Sequence, residues 1–415
     1  MLRTLVLTRH IPFPPKGGAP LRNWQNINLL SRLGQTSVLS VSAEPANVES
    51  NPAIFDWRHV NLRQSSPYNK LAAKLRKKYW ALRPGTHPNA PFSSLAASNL
   101  CDLLEESSAD LLVVEELWLY PYLDKLRGWK GKLVYDAHNI EAMLRTEIEP
   151  SHGDSRNGMR QRLLSTRVSA AERAVARKVD QVWACSQADA LKIKNLYGAN
   201  IDTRVLPNSI DPEPYRPFWQ TIRAEKSRPN GQTLRLVFPA AFGYLPNQVA
   251  AEILIQEILP LVRARQPNAE LVLAGRSPTR EMLTAAASDN GIVVTGEVTD
   301  IKPYLANAAI VVVPLIHGGG TRLKILEAFA ARRPVVSTKK GAEGLDVVHG
   351  KHLLVADNPE DIAHAIITLF SNADLVTRLT REAYALLEAK YSWDAGLDLM
   401  LDALRHLKLP VDTAD

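Results

Sequence analysis

The stretch 314-PLIHGGGTRLKILEAFAARRPVVSTKKGAEGL-345 decides how the rest of the chain reads. The apolar run ahead of it, 309–313, has the length and β-branched composition of a buried strand. Gly318, Gly319 and Gly320 then permit a close backbone turn. Thr321 is placed to cap a helix expected over 321–332, and a further strand is expected at 334–337. Strand, glycine turn, helix, strand is the repeating unit of a parallel sheet. Within that helix Leu323, Leu326 and Ala330 form an apolar stripe for the core. Gly320, Lys324 and Glu327, at i, i+4 and i+7, lie on a separate face and would show a cation and a carboxylate to a ligand. A glycine turn opening onto a helix N-terminus offers free N–H groups and the positive end of the helix dipole to an anion. Arg322 adds a fork suited to phosphate oxygens, and Glu327 can accept both hydroxyl protons of a ribose diol. The plain alternative is a capped surface helix with an i, i+3 Lys–Glu pair. It explains neither the triple glycine nor the Gly-Ala-Glu-Gly turn after the next strand.

The same unit recurs on both sides. A strand at 3–8, the loop 12-PFPPKGGAP-20, a helix carrying Leu21, Trp24, Ile27, Leu30 and Leu33, and a strand at 36–41 open the chain. Strands follow at 111–114, 133–135, 181–184 and 204–206, with a helix over 186–197. Pro-rich 212–232 breaks the rhythm and reads as a linker. Beyond it come strands at 233–238, 270–274, 291–294 and 352–355, with helices at 247–264, 279–288, 359–371 and 393–408. The expectation is an α/β chain of two Rossmann-like doubly wound domains, with a ligand cleft at the carboxyl ends of the strands.

Composition narrows the class. At 415 residues the chain is long enough for two or three domains. Its 46% hydrophobic and 22% charged residues exclude disordered, collagen-like and coiled-coil chains. Two cysteines cannot build a disulfide framework, which fits a reducing cytosol. No run approaches the roughly 20 apolar residues of a spanning helix, and the N-terminal run is too short for a signal peptide. The net charge of +7 raises polyanions as partners. Without a helix-turn-helix, zinc or RNP-type pattern, nucleic acid is not expected among them.

With these residues in view, the 314–345 stretch resembles the nucleotide-sugar site of glycosyltransferase family four, the retaining GT-B enzymes, and in particular bacterial polysaccharide transferases. That family usually carries two glutamates with seven residues between them. Glu327 matches the second, while the first falls where this chain has Gly319. The segment 14-PPKGGAPLR-22 resembles the family's N-domain glycine loop, which implies donor contacts from Gly17 and Gly18 and an acceptor-side role for Arg22. The segment 136-DAHNIEA-142 resembles its histidine loop, implying His138 beside the sugar and Asp136 and Asn139 on the acceptor side. The segment 207-PNSID-211 resembles its hinge. In the second half, 238-FPAAFGYLPNQVA-250 with Gly243, the pair Gly275 and Arg276, and 295-TGEV-298 with Gly296 and Val298 resemble the loops around the donor diphosphate and base. Where many relatives have a basic pair, this chain has Asn247, so Arg322 and Lys324 would supply the phosphate charge.

The resemblance implies a GT-B fold with an acceptor domain at 1–211, a linker at 212–232, a nucleotide-sugar domain at 233–391 and a final segment, 392–415, crossing back to the first domain. It implies retaining transfer from a nucleotide diphosphate sugar to a hydroxyl, with His138, Arg322, Lys324 and Glu327 as the catalytic group. The donor would bind at Gly318, Gly319, Gly320 and Thr321 as well as the loops above. No cofactor and no metal is expected; the nucleotide sugar is a co-substrate. Other GT-B enzymes, such as an epimerase or phosphorylase, and a non-catalytic GT-B subunit remain as alternatives, the last motivated by Gly319.

The charge is uneven. From Trp57 to Cys101 there is no acidic residue but eight basic ones. Its centre, 68-YNKLAAKLRKKYWALR-83, reads as a basic amphipathic helix suited to an anionic membrane surface, or as an ordinary helix with a solvated basic face. On the first reading the protein is cytoplasmic and peripheral on the inner face of the plasma membrane, with a lipid-linked glycan as acceptor.

Overall fold

A computed structural model describes residues 1–15, 17–44, 51–63, 92–148, 155–219, 234–319 and 322–411, with side chains throughout except at 145–148 and 155–164. The chain divides into two compact units, Met1–Pro207 with Gly396–Asp415, and Asn208–Ala395. The expected linker 212–232 starts inside the second unit. Its described part is packed there, with a 3-10 turn at Glu213–Phe218 and the Trp219 indole N–H donating to the Ala330 carbonyl at 2.8 Å. Residues 68–83, Gly320 and Thr321 lie outside the described residues. Among the described residues no helix is long and apolar enough to cross a membrane.

The first unit is built on β1 (Leu2–Thr8), β2 (Gly34–Ser42), β3 (Trp57–Asn61), β4 (Leu111–Glu115), β5 (Lys132–Ala137), β6 (Gln181–Ala184) and β7 (Thr203–Val205). All run parallel, in the order β3-β2-β1-β4-β5-β6-β7. A parallel sheet covered on both faces needs strands that are apolar throughout rather than alternating. All residues of β4 and of β6 are buried accordingly. The edge strand β3 was not expected. Only Trp57 and Val60 of its five residues are buried, so its sequence WRHVN carries little apolar pattern. The Trp57 indole fixes it by donating to Ser40 Oγ at 2.9 Å. Part of the last helix, Trp393–His406, also belongs to this unit: Gln181 Nε2 donates to the Ala403 carbonyl at 3.1 Å.

The second unit holds β8 (Arg235–Pro239), β9 (Glu270–Ala274), β10 (Ile292–Val294), β11 (Ile310–Val313), β12 (Val335–Ser337) and β13 (Leu354–Val355), in the parallel order β10-β9-β8-β11-β12-β13. The helix expected unbroken over 247–264 runs from Leu245 to Ile253, passes through a π turn at Leu254–Ile258 and resumes at Leu259–Arg263. Pro260 has no N–H for the helical ladder, and the widened turn sits just before it. The helix Ala373–Leu386 was also not expected.

Each sheet reverses strand order once, between β1 and β4 in the first unit and between β8 and β11 in the second. Ligands of open α/β sheets bind outside the carboxyl ends of the strands at such switch points.

Candidate active site

In the second unit, the loops leaving β8 and β11 meet at the switch. Gly318 takes φ 109°, and a Cβ there would stand 3.0 Å from the Tyr244 hydroxyl and 3.4 Å from Pro246, at the start of the helix that follows β8. Only glycine combines that backbone with that approach. The helix expected over 321–332 spans Leu323–Ala330, with Leu323, Ile325, Leu326, Phe329 and Ala330 buried. Lys324 and Glu327 lie on its other side and form no ion pair with each other. The Lys324 ammonium donates to Asn247 Oδ1 at 2.9 Å and lies 4.3 Å from the centre of the Phe238 ring. Asn247 thus stands in contact with the lysine, and its Nδ2 donates to the Ala241 carbonyl at 2.8 Å. The Tyr215 hydroxyl donates to Glu327 Oε1 at 3.3 Å. Burial, reinforced by the nearby Arg322 guanidinium, pushes Lys324 down to about 7. Burial pushes Glu327 up to about 7, against the hydrogen bond from Tyr215.

Arg322 departs from expectation. It is 6% exposed, and its guanidinium donates to the carbonyls of Gly319 at 2.6 Å, Gly318 at 2.7 Å and Lys340 at 3.2 Å. The fork expected on phosphate oxygens braces the glycine turn instead. Gly319 is partly buried in that turn. Gly275 comes within reach of the β8 loop: a Cβ would lie 1.8 Å from the Ala240 carbonyl oxygen, and its N–H donates to Thr295 Oγ1 at 3.1 Å. Arg276 is partly exposed beside the exposed Gly243, and its carbonyl accepts from Phe242 N. Gly296 takes φ 68° with open space where a Cβ would be. Val298 lines a pocket of about 720 Å³ with Val272, Thr295, Pro303 and Tyr304.

In the first unit the switch gathers a polar cluster that the sequence showed only in part. His138 Nε2 lies 2.8 Å from Glu115 Oε2 and 3.1 Å from Asp136 Oδ2, and Nδ1 lies 3.5 Å from Glu116 Oε1. Burial opposes charge on the imidazole, but the bonds to Asp136, Glu115 and Glu116 outweigh it and hold it protonated well above the usual histidine range. Burial and Asp136 push Glu115 up to about 7, against His138. Burial also opposes ionisation of Asp136, but the Arg22 charge and His138 outweigh it and hold the carboxyl well below the usual range.

Arg22 and Asp136 correct the expected acceptor-side roles. Arg22 is 1% and Asp136 0% exposed. The guanidinium holds both carboxylate oxygens, at 2.5 and 2.7 Å, and donates to the Leu206 carbonyl at 3.0 Å. Asn26 Nδ2 donates to Glu115 at 3.0 Å and Asp136 at 2.9 Å. The pair is therefore a buried support for His138 rather than a surface for an acceptor. Asn139 is partly exposed beside it, and Gly17 and Gly18 are exposed at the start of the helix Gly18–Ser31, where Gly17 takes φ 98°.

Glu115, Asp136 and His138 have the composition of a metal site, with ligand atoms within 4.8 Å of one another. Their contacts here are those of an ion cluster, in which the Arg22 guanidinium and the imidazolium supply the positive charge. Sequence reasoning missed Glu115 and Glu116, although two acids ending the apolar run 111–114 are a readable signal.

Two parallel doubly wound units, each with polar side chains gathered at its switch point, define the GT-B class. Sucrose-phosphate synthase from Thermosynechococcus elongatus shares the fold with a TM-score of 0.72 at 16% identity, over 98% of this chain and 99% of its own. Anabaena HepE, solved in complex with UDP and glucose, does so with a TM-score of 0.66 at 16% identity, over 97% and 99%. Residues 63–214 match Glycosyltransferase Family 4 and residues 234–372 match Glycosyl transferases group 1. Together the two matches cover most of the chain, which belongs to this glycosyltransferase family four and group 1 type. An uncharacterized 44.6 kDa protein in the cps region of Klebsiella pneumoniae is 24% identical over 156 residues, 36% of this chain and 40% of that protein. A GDP-mannose-dependent alpha-(1-6)-phosphatidylinositol monomannoside mannosyltransferase of Mycobacterium tuberculosis is 26% identical over 251 residues, 56% of this chain and 64% of its own. The matched stretches thus span less than two thirds of either relative.

Proposed function

We propose that this chain transfers a glycosyl unit, with retention, from a nucleoside diphosphate sugar to a hydroxyl acceptor in cell-surface polysaccharide or glycolipid synthesis. One observation carries the reading: Lys324 and Glu327, a cation and a carboxyl on one helix, both with protonation states balanced near neutrality, stand at the β8/β11 switch beside a glycine turn. The barrier to transfer lies in breaking the anomeric C–O bond while negative charge builds on the leaving diphosphate. Preorganised donors aimed at that charge are the largest lever a site of this kind has. Lys324 becomes a full cation beside a diphosphate, Arg322 keeps the turn in shape with its charge beneath it, and Glu327 takes the ribose hydroxyls. The acceptor hydroxyl attacks on the face the diphosphate leaves, and its proton passes to the departing phosphate. His138 bears on the sugar through its buried charge rather than as a base. The chain's own cations serve in this scheme, with no cofactor. The pocket beside Val298 is the place for the base.

GDP-mannose and UDP-glucose are the first donors to try, since a mannosyltransferase relative uses the one and the HepE structure holds UDP and glucose. The acid-free run from Trp57 to Cys101 supports contact with an anionic membrane face and a lipid-linked acceptor. The test is proton NMR of the products formed from each donor with octyl glycosides. The expected result is a new glycoside with the donor's anomeric configuration. Donor converted without transfer would point to an epimerase, and donor bound without turnover to a non-catalytic subunit; either result overturns the proposal.

A further inference from the structure

A second histidine stands at the β1/β4 switch of the first unit. His10 lies two residues past the end of β1 and Glu116 one residue past the end of β4, 106 residues apart in sequence. His10 Nε2 is 3.1 Å from Glu116 Oε1. The His10 backbone is anchored as well: its N–H donates to Thr8 Oγ1 at 3.1 Å, and its carbonyl accepts from that hydroxyl at 3.3 Å.

Glu116 is held in an unusual way. Its backbone takes φ 72° and ψ 150°, a region that side chains other than glycine rarely adopt. Such conformations persist where the surroundings over-determine them, and they cluster at functional sites. Here the Glu116 N–H donates to the Asp136 carbonyl at 3.1 Å. Its carboxylate meets His138 Nδ1 at 3.5 Å and Arg9 Nε at 3.6 Å besides His10. Burial would push this carboxyl up, but the bonds from His10 and His138 outweigh it and keep it well below the usual glutamate range. An ionised carboxylate only accepts, so Nε2 of His10 is the nitrogen that donates. In the neutral ring Nδ1 then carries the lone pair. Nδ1 has no hydrogen-bond partner among the described residues, and the side chain is 33% exposed. Glu116 is only 12% exposed beneath it. A buried carboxylate that fixes one ring nitrogen and leaves the other open is the arrangement by which an imidazole is aimed at a hydroxyl.

We propose that His10, oriented by Glu116, receives a hydroxyl of the acceptor beside the reacting one as a hydrogen bond at Nδ1. This rests on the transfer reading above. His10 is then the acceptor-side contact that Arg22 and Asp136, sealed in the interior, do not make. Glu116 is its positioning residue and ties the acceptor contact to the His138 cluster.

The test compares His10→Ala, His10→Asn and Glu116→Gln with wild type, using octyl mannoside and octyl glucoside as acceptors and GDP-mannose and UDP-glucose as donors. Two rates are followed for each donor: transfer to the octyl glycoside and hydrolysis to water. His10→Ala is expected to lower kcat/KM for the acceptor about 10- to 100-fold, the loss typical of leaving one hydrogen-bonding group unmatched. Donor hydrolysis and donor affinity should stay within about twofold. Asparagine places an amide oxygen near the position of Nδ1, so His10→Asn is expected to regain part of the lost transfer. Glu116→Gln should lose transfer but less than His10→Ala. Equal acceptor kcat/KM in wild type and both His10 variants overturns the proposal, as does a parallel fall in transfer and hydrolysis, which marks a structural role. A wild-type chain that neither hydrolyses nor transfers from any donor refutes the transferase reading itself, and the two failures are thereby distinct.

Discussion

Glu327→Ala is expected to lower glycosyl transfer by about 100-fold or more, the loss typical of removing one preorganised group from a transition-state site. Lys324→Ala should act at least as strongly, because it removes the cation proposed to face the diphosphate. Neither change should unfold the protein. Glu327 and Lys324 are each hydrogen-bonded to a neutral partner, Tyr215 and Asn247, so neither deletion strands a buried opposite charge. What remains is one unmatched hydroxyl at Tyr215 or one unmatched amide oxygen at Asn247, a cost of about 1–3 kcal/mol each. Activity measured beside a thermal melt separates the two effects. Full activity in both variants with a confirmed donor would make the site assignment wrong.

The titration of this pair also shapes stability, with opposite signs. Glu327 is raised on folding, so its contribution is fully present below about 4.5 and is lost as pH rises through about 7. Lys324 is lowered, so its contribution is present above about 10.5 and is lost as pH falls through about 7. The Glu327 cost is therefore full above about 7 and the Lys324 cost full below about 7, so their sum weighs most against the unliganded fold near neutrality, where a bound diphosphate would relieve the lysine.

Arg22→Ala and Asp136→Ala are expected to have the largest effects on folding. Each leaves an uncompensated charge in the interior, which typically costs about 3–5 kcal/mol. Replacing both together, as Arg22→Met with Asp136→Leu, should recover part of that loss, because two well-packed apolar side chains avoid the desolvation that the ion pair carries. Denaturant melts of the single and double variants give the coupling. Single variants with wild-type stability would restore the acceptor-side role that the sequence suggested and contradict the buried support described here.

That contrast shows where sequence is readable. The strand 270–274 and the helix 359–371 were legible to the residue, because a continuous apolar run and a strongly periodic segment encode burial locally. The glycine at 318 was legible for another reason: its backbone takes φ 109°, a conformation that glycine adopts without cost. The helix Gly18–Ser31 was harder. Leu21, Trp24, Ile27, Leu30 and Leu33 suggested its buried face, yet Arg22, Asn23, Gln25 and Asn26 are buried while Leu21, Trp24 and Leu33 are only partly so. Polar groups can be buried when partners are supplied, and here the partners Glu115 and Asp136 come from strands about 90 to 110 residues further on. No local pattern encodes that meeting; the strand order does. The same holds for His10 and Glu116, which become neighbours only because β1 and β4 are adjacent across the switch. Arg322 misled for a different reason. Its spacing suits a phosphate, but the carbonyls of its own glycine turn are nearer.

In the proposed function, Lys324 receives a nucleoside diphosphate at the β8/β11 switch. The most direct test is calorimetric titration of the purified chain with UDP and GDP at pH 8, in buffers of differing ionisation enthalpy. At that pH the unliganded lysine, lowered to about 7, is mostly neutral, and a diphosphate favours its charged form. Saturable binding of at least one of the two nucleotides is expected, with uptake of a fraction of a proton, and Lys324→Ala should lose that uptake. Absence of binding by both nucleotides, or unchanged proton uptake in Lys324→Ala, would contradict that proposal.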